Sequence, residues 1–586
     1  MNIEQHKKVF HLNKATVENQ ILQGYKMTLS KQEMANQNYF LETEKAPHYD
    51  IQEQVRQLFA SSSHTTFLEE EINKITNKFS QDFLSTLDAN TDIDLDSLLG
   101  SFCDSQIPVQ PAHVESYLQY LGNNVVAHSI HTSSPKFIGH MTSALPCFVR
   151  PLAKLMTAMN QNAVKIETAK ALSFCEREAL AMLHRLIYNF DDNFYAQHIQ
   201  NNLSTLGILV SGGTVANITA LWCARNNALG PKDDFLGVEK EGLAAALDFY
   251  GYKGAAIIGS ELMHFSFDKA ADLMGIGTHR LIRVPTDSNN RVNIQALRQA
   301  VMECRAQNLL IIAIIGVAGT TDSGGVDSLT EIAEIAQSAN VHFHVDAAWG
   351  GPLIFSQQHR HKLAGIERAD SVTIDGHKQL YLPMGIGLVF FRDPHIAKAI
   401  EKQASYTIRK GSFDLGKRAL EGSRPGMALF LHAGLNLIGL KGYEFLIDEG
   451  IRKTQYMADR ICTMPEFELL GEPDTNLLLY RYIPAPLREL VAKKQLTQTD
   501  NQLIDEFNER LQKIQRQIGR TFISRTTKTT TSFGKEIPII ALRAVLANPL
   551  TTEEDIDAVL NDQIQIASEI EISNFQEAGE KSVQFQ

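Results

Sequence analysis

From Leu206 onward the chain alternates short, unbroken apolar runs with amphipathic segments: GILV, AAIIG, RLIRV, LLIIAIIGV, VHFHV, SVTI and GLVFF. Runs this short, rich in β-branched residues and apolar at successive positions, predict strands buried on both faces. Between them, Asn293–Gln307 and Ser328–Ser338 carry apolar positions three and four apart and predict helices. The second opens with Ser328 and Glu331 at the spacing of a capping box. The alternation predicts an α/β unit: a mostly parallel central sheet with helices on both faces.

Upstream the period is helical. Apolar positions recur at helical spacing over Ile51–Leu87 and Val114–Leu121, Pro108, Pro111 and Pro135 punctuate the passage onward, and Leu152–Ile187 predicts a long helix packed against a core or a second subunit. Before about Asn38 no sustained apolar period exists, and that stretch is expected to be mobile. From about Gly442 the pattern reads helix, then the strands FELLG, NLLLYRY and IIALRAVL, then final helices and a polar tail. The expected organisation is an N-terminal helical segment (1–134), a large domain (135–441) and a small C-terminal α/β domain (442–586).

Composition removes several classes of function. With 44% hydrophobic and 21% charged residues, and no apolar run long enough for a span, an ordinary globular chain with no membrane partner is expected. A formal charge of −12 argues against nucleic acid as a partner. The six cysteines, Cys103, Cys147, Cys175, Cys223, Cys304 and Cys462, show no CxxC spacing, so neither a zinc ribbon nor a disulfide framework is expected. The N-terminus lacks the apolar core of a secretory signal, which points to the cytoplasm.

The candidate chemistry sits at the ends of the predicted strands. SVTIDGHK runs from a strand into His377 and Lys378, and HVDAAWGG places Asp346 just past another strand, 32 residues earlier (378 minus 346). A free lysine amine, with a pKa of about 10.4, is protonated and inert at neutral pH; desolvation or condensation with an aldehyde turns it into a covalent anchor. SGGT at 211–214 lies between a strand and a helix start, where bare amides and the helix dipole suit phosphate, although a plain strand-to-helix turn explains it equally. His264 follows AAIIGS and could cover a ring, or simply hydrogen-bond at a helix start. Thr320 and Thr321, in GVAGTTDSGGVD, stand at another strand tip or in a glycine-rich turn. His342 with His344, and His359 with His361, raise a metal site, but no third ligand set accompanies them and none is expected.

In this order, strand with SGGT, strand with His264, GTT, HVDAAWGG and DGHK, the chain resembles the fold-type I pyridoxal phosphate enzymes, and specifically the group II amino acid decarboxylases. The resemblance runs from about residue 110 and takes in FIGHMTSALP and LRAVLANPLTTEEDID. It implies pyridoxal 5'-phosphate held covalently at Lys378, a ring-nitrogen contact from Asp346, ring stacking by His264 and a ring contact from Ala348 on the other face. It further implies phosphate contacts from Gly213, Thr214 and His377, with Thr320 the nearer of the two threonines to the ligand.

Tyr406, in ASYTIRKGSFDLGKR, resembles the proton donor of a mobile catalytic loop; an ordinary surface tyrosine is the alternative. Arg543 matches an arginine that binds a substrate carboxylate, against the alternative of a structural ion pair. His140, in FIGHM, falls at a pocket position where glutamate decarboxylases carry an amide, which counts against glutamate. The implied reaction is decarboxylation of a small-molecule acidic L-amino acid, L-aspartate to β-alanine first. L-Glutamate, cysteine sulfinate or an aromatic amino acid are the alternatives, and a non-catalytic interaction protein is disfavoured by the intact Lys378, Asp346 and His264. A homodimer is implied as well.

Overall fold

The structure is a computed structural model that describes residues 51–59, 63–91, 93–287, 289–404, 411–530 and 537–583. Its centre is a seven-stranded sheet of β1 (Gly207–Val210), β2 (Gly254–Ser260), β3 (Leu281–Val284), β4 (Leu309–Val317), β5 (His342–Asp346), β6 (Ser371–Asp375) and β7 (Gly387–Phe391), in the order β1-β7-β6-β5-β4-β2-β3. Neighbours from β6 through β3 are parallel, and β7 is antiparallel to both β6 and β1. Hence β1 runs in the same sense as β6, and the carboxyl ends of β1, β2, β4, β5 and β6 share one edge.

Two-sided burial accounts for the unbroken apolar runs. On one face Ile218, Leu221 and Ala224 of the helix Gly213–Ala228 pack on Ala255, Ile257, Ala313 and Ile315. On the other, Leu297, Val301, Ile332 and Ala336 pack on Ile258, Ile314, Phe343 and Val345. Successive strand residues therefore enter different cores, and both faces are mostly apolar.

The structure departs from the periodicity in the long helical stretch. Leu152–Ile187 is broken into Val149–Met159, Ile166–Ala169 and Ala171–Tyr188, with Asn160 in the left-handed region (φ 43°) and Lys170 at φ 37°. Asn160 tolerates that conformation, and the Asn162 side chain accepts the Val164 N–H at 3.1 Å, a local bond that competes with a helical one. Nor does the Ser328 capping box form: Ser328 makes no side-chain cap bond. The anchoring acid is its neighbour Asp327, which accepts the N–H groups of Val292 (2.7 Å) and Val317 (2.8 Å). The helical spacing over Ile51–Leu87 corresponds to two helices, Ile51–Phe59 and Ser63–Ser85. The first 40 residues, expected to be mobile, lie outside the described residues.

A second sheet, wholly antiparallel, comprises β8 (Phe467–Leu469), β9 (Leu477–Tyr482), β10 (Ser524–Thr530) and β11 (Ile537–Val545) in the order β10-β11-β9-β8. SRTTKTT of β10 carries no apolar alternation because it is an edge strand, held by its ladder to β11. The helix Gly439–Thr463 runs through position 442 without a break: Tyr443 and Ile447 belong to the large core, Met457, Ala458 and Ile461 to the small one. Ile138 donates to Phe522 O and accepts from Val545 N, which lays FIGHM alongside the small sheet.

Candidate active site

The shared edge of the parallel strands opens into a cleft of about 340 Å³. Gly213, Thr214, His264, Asp346, Ala348 and Lys378 all line it, as does His377. They come from the ends of four strands, β1, β2, β5 and β6, and meet because the sheet places those ends on one edge.

At one end of the cleft the helix Gly213–Ala228 starts with no side-chain cap, so its first amides are presented by a backbone turn alone. Gly213 permits a close approach: a Cβ there would lie 2.8 Å from Asp375 Oδ2. That same oxygen lies 3.1 Å from Lys378 Nζ and 3.7 Å from His377 Nε2. His377 Nδ1 donates to Ile386 O at 3.1 Å, which fixes the ring. Asp375 was not singled out from the sequence, although it stands inside DGHK. Its Oδ1 is buried without a hydrogen-bond partner among the described residues.

At the other end Asp346 is 5% exposed. Its Oδ2 accepts from Asn217 Nδ2 at 3.0 Å and its Oδ1 from the Ala348 N–H at 3.2 Å. Asn217, on the helix Gly213–Ala228, also lines the cleft and carries no sequence signal beyond its place one turn past SGGT. His342 and His344 are hydrogen-bonded to Ser371 Oγ at 2.7 and 2.8 Å, and His361 Nδ1 to Gln358 O at 2.9 Å.

His264 accepts the Ser266 N–H through Nδ1 at 3.2 Å, the helix-start bond, and lines the cleft as well. Desolvation by burial pushes its proton affinity below the ordinary histidine range; Asp346 opposes that and Lys378 adds to it. The two threonines divide otherwise than expected. The Thr320 hydroxyl turns into its own loop, bonded to Ser323 Oγ (2.7 Å) and to the N–H groups of Ser323 and Gly325 (each 3.2 Å), and it is Thr321 that lines the cleft.

Arg543, 6% exposed on β11, donates Nε to Thr321 O (2.8 Å) and Nη1 to Gly139 O (3.2 Å) and Ser524 Oγ (3.1 Å). No carboxylate pairs with it among the described residues. Burial pushes its proton affinity down to about 10, partly opposed by Asp322. His140 Nδ1 faces Thr142 Oγ1 at 3.0 Å. Its proton affinity is lowered by desolvation first, then by the positive charges of Arg543, Lys378 and His377, so His140 lies within electrostatic reach of both the small-sheet arginine and the lysine. Tyr406 lies outside the described residues.

These residues fit pyridoxal 5'-phosphate: an uncapped helix start suits a phosphate, a buried carboxylate in the same cleft suits a protonated ring nitrogen, and a lysine lining that cleft suits an aldehyde. Fold and cleft together define a fold-type I enzyme dependent on that cofactor. The chain belongs to the pyridoxal-dependent decarboxylases: residues 99–483 match the family described as the pyridoxal-dependent decarboxylase conserved domain.

It is 47% identical, over 88% of its length and 93% of the relative's, to the aspartate 1-decarboxylase of Aliivibrio fischeri. It is 30% identical, over 63% of its length and 70% of the relative's, to an aromatic-L-amino-acid decarboxylase of Bacillus atrophaeus. In fold it is similar to the crystal structure of mouse CSAD, with a TM-score of 0.75 at 23% identity, covering 87% of this chain and 99% of that one. Among the described residues no helix is long and apolar enough to cross a membrane.

Proposed function

We propose that the protein decarboxylates L-aspartate, releasing β-alanine and carbon dioxide. The observation that carries this reading is the 47% identity with an aspartate 1-decarboxylase, spread over 88% of the chain. When bound, the cofactor supplies an electron sink for the pair released as the Cα–carboxylate bond breaks.

The chain's own residues do the rest. Lys378, beside Asp375, is the amine that would hold the cofactor's aldehyde. Gly213, Thr214 and His377 would hold the phosphate, Asp346 the ring nitrogen, and His264 and Ala348 would confine the ring; all of them line the cleft. Arg543 has no carboxylate partner among the described residues, and its Nη2, the guanidinium nitrogen not spent on Thr321 O, Gly139 O or Ser524 Oγ, would be the donor offered to one substrate carboxylate. Tyr406 delivers a proton to Cα and so directs the outcome to the amine.

Large apolar side chains left exposed on three helices, Leu155, Phe174, Leu440 and Phe445 among them, support a homodimer. Six cysteines, none of them in a disulfide, support a cytoplasmic setting.

The test is to incubate the purified enzyme and pyridoxal 5'-phosphate with L-aspartate, L-glutamate, cysteine sulfinate and an aromatic amino acid, and to identify the amines. β-Alanine with equimolar carbon dioxide is expected; another amine accumulating without β-alanine overturns the reading. One methylene separates aspartate from glutamate, about 1–3 kcal/mol, so the comparison is made on kcat/KM. Lys378→Ala is expected to lose both the visible cofactor absorption and carbon dioxide release.

A further inference from the structure

Behind Asp346 a line of polar side chains leads away from the cleft. Asn217 Nδ2 is 3.0 Å from Asp346 Oδ2, and Asn217 Oδ1 is 3.1 Å from His344 Nε2. His344 Nδ1 is 2.8 Å from Ser371 Oγ, which is 2.7 Å from His342 Nε2. His342 Nδ1 lies 3.9 Å from Asp370, whose side chain is 45% exposed. Asn217, His344 and Ser371 are each no more than 1% exposed. The fold assembles the line: His342, His344 and Asp346 alternate onto one face of β5, Ser371 is the register partner of His344 on β6, and Asn217 comes from the helix covering that face.

With Asp346 ionised, proton counting sets the direction of the bonds along the line. A neutral imidazole has one donor and one acceptor, a hydroxyl one proton, and an amide donates only from nitrogen. An ionised Asp346 accepts only, so Asn217 must turn Nδ2 toward it; the reverse would set two acceptors 3.0 Å apart. Asn217 Oδ1 then faces His344, which must carry its proton on Nε2 and accept at Nδ1 from Ser371. Ser371 in turn accepts from His342 Nε2. Burial keeps His344 neutral, its proton affinity pushed down to about 3, which satisfies the one-donor premise.

We propose that His344 is a positioning residue: donating from Nε2, it locks the Asn217 amide with Nδ2 toward Asp346, and so holds that carboxylate as an ionised partner for the cofactor's ring nitrogen. Without that donor Asn217 Oδ1 is left buried and unpaired, and the amide keeps only its Nδ2 contacts, to Asp346 Oδ2 and to Ser266 Oγ, each at 3.0 Å; an amide turned to face Asp346 with its oxygen favours the protonated carboxyl. Ser371 acts through His344 by setting its tautomer.

The readouts are the cofactor dissociation constant, by equilibrium dialysis, and the pH dependence of the bound cofactor's visible absorption. His344→Phe, which fills the site but cannot donate, is expected to weaken cofactor binding about tenfold and to shift the absorption profile. His344→Gln, which can donate again, is expected to recover most of both. Asn217→Ala leaves a good helix former in its place and guards against a folding defect in His344→Phe. It should show the same two effects, and the double variant should be no worse than either single, because the residues act in series.

Wild-type affinity and spectrum in His344→Phe, or additive losses in the double variant, overturn the proposal. The inference rests on Asp346 facing the ring nitrogen, which Asp346→Asn tests separately: an unchanged spectrum there removes the premise. Failure of either leaves the choice of L-aspartate untouched.

Discussion

Gly213 shows how little room the site leaves at a single residue. Its Cβ would press on Asp375, the carboxylate that meets Lys378. Gly213→Ala is expected to weaken pyridoxal 5'-phosphate binding about tenfold or more with little change in unfolding midpoint, checked by equilibrium dialysis beside a urea titration. Arg543→Lys cannot keep the bonds to Thr321 O, Gly139 O and Ser524 Oγ and still present a donor where Nη2 stands, so KM for L-aspartate should rise at least about tenfold with cofactor absorption unchanged, measured by steady-state kinetics.

His184 gives a pH prediction. It is fully buried between Tyr195 Oη and Phe391 O, both at 2.9 Å, and desolvation lowers its proton affinity to about 4. The unfolded chain therefore binds a proton below about 6.5 that the folded chain refuses down to about 4, so the stabilisation is present above 6.5 and lost as pH falls. Relative to His184→Gln, the wild type should lose about 1.4 kcal/mol per pH unit across that window, read from urea unfolding at several pH values.

Between elements, one buried ion pair ties the helix Ala171–Tyr188 to the segment that follows residues 405–410. Arg424 donates to both oxygens of Glu176 at 2.7 and 2.5 Å, and the two side chains are 7% and 2% exposed. Arg424→Met strands a buried carboxylate and should cost about 3–5 kcal/mol, whereas adding Glu176→Leu should recover most of that loss. Urea midpoints of the single and double variants check it. The sheet edge is the other decisive element: β7, antiparallel between β1 and β6, brings SGGT beside DGHK although 161 residues (375 minus 214) separate Thr214 from Asp375.

In the molecule as a whole, hydrogen bonds and an ion pair join the segments that carry the two sheets. Asn476 donates to Gln379 at 2.8 Å, Tyr381 to Ala547 O at 2.9 Å, and Arg291 pairs with Asp474 at 2.7 Å. These ties hold Arg543 and Lys378 in one frame, which the proposed roles of the two residues toward one substrate require. The proposed homodimer should sediment at about twice 65.3 kDa; a concentration-independent monomer would leave the exposed Leu440 and Phe445 to be covered in some other way.

Strand positions, the α/β class and the Lys378–Asp346 pair were legible along the chain, because two-sided burial writes unbroken apolar runs and because chemistry requires particular residue types at their ends. Partners were not legible. Asn217 meets Asp346 across 129 positions, Asp375 is defined by a glycine on another element, and the choice of Thr321 over Thr320 depends on which hydroxyl a turn consumes. The β10 edge strand has no apolar signal because its ladder holds it, and the break at Asn160 turns on one left-handed residue. Periodicity reports how deeply a residue is buried, whereas hydrogen-bond direction and close approach depend on which surfaces meet, and only tertiary packing decides that.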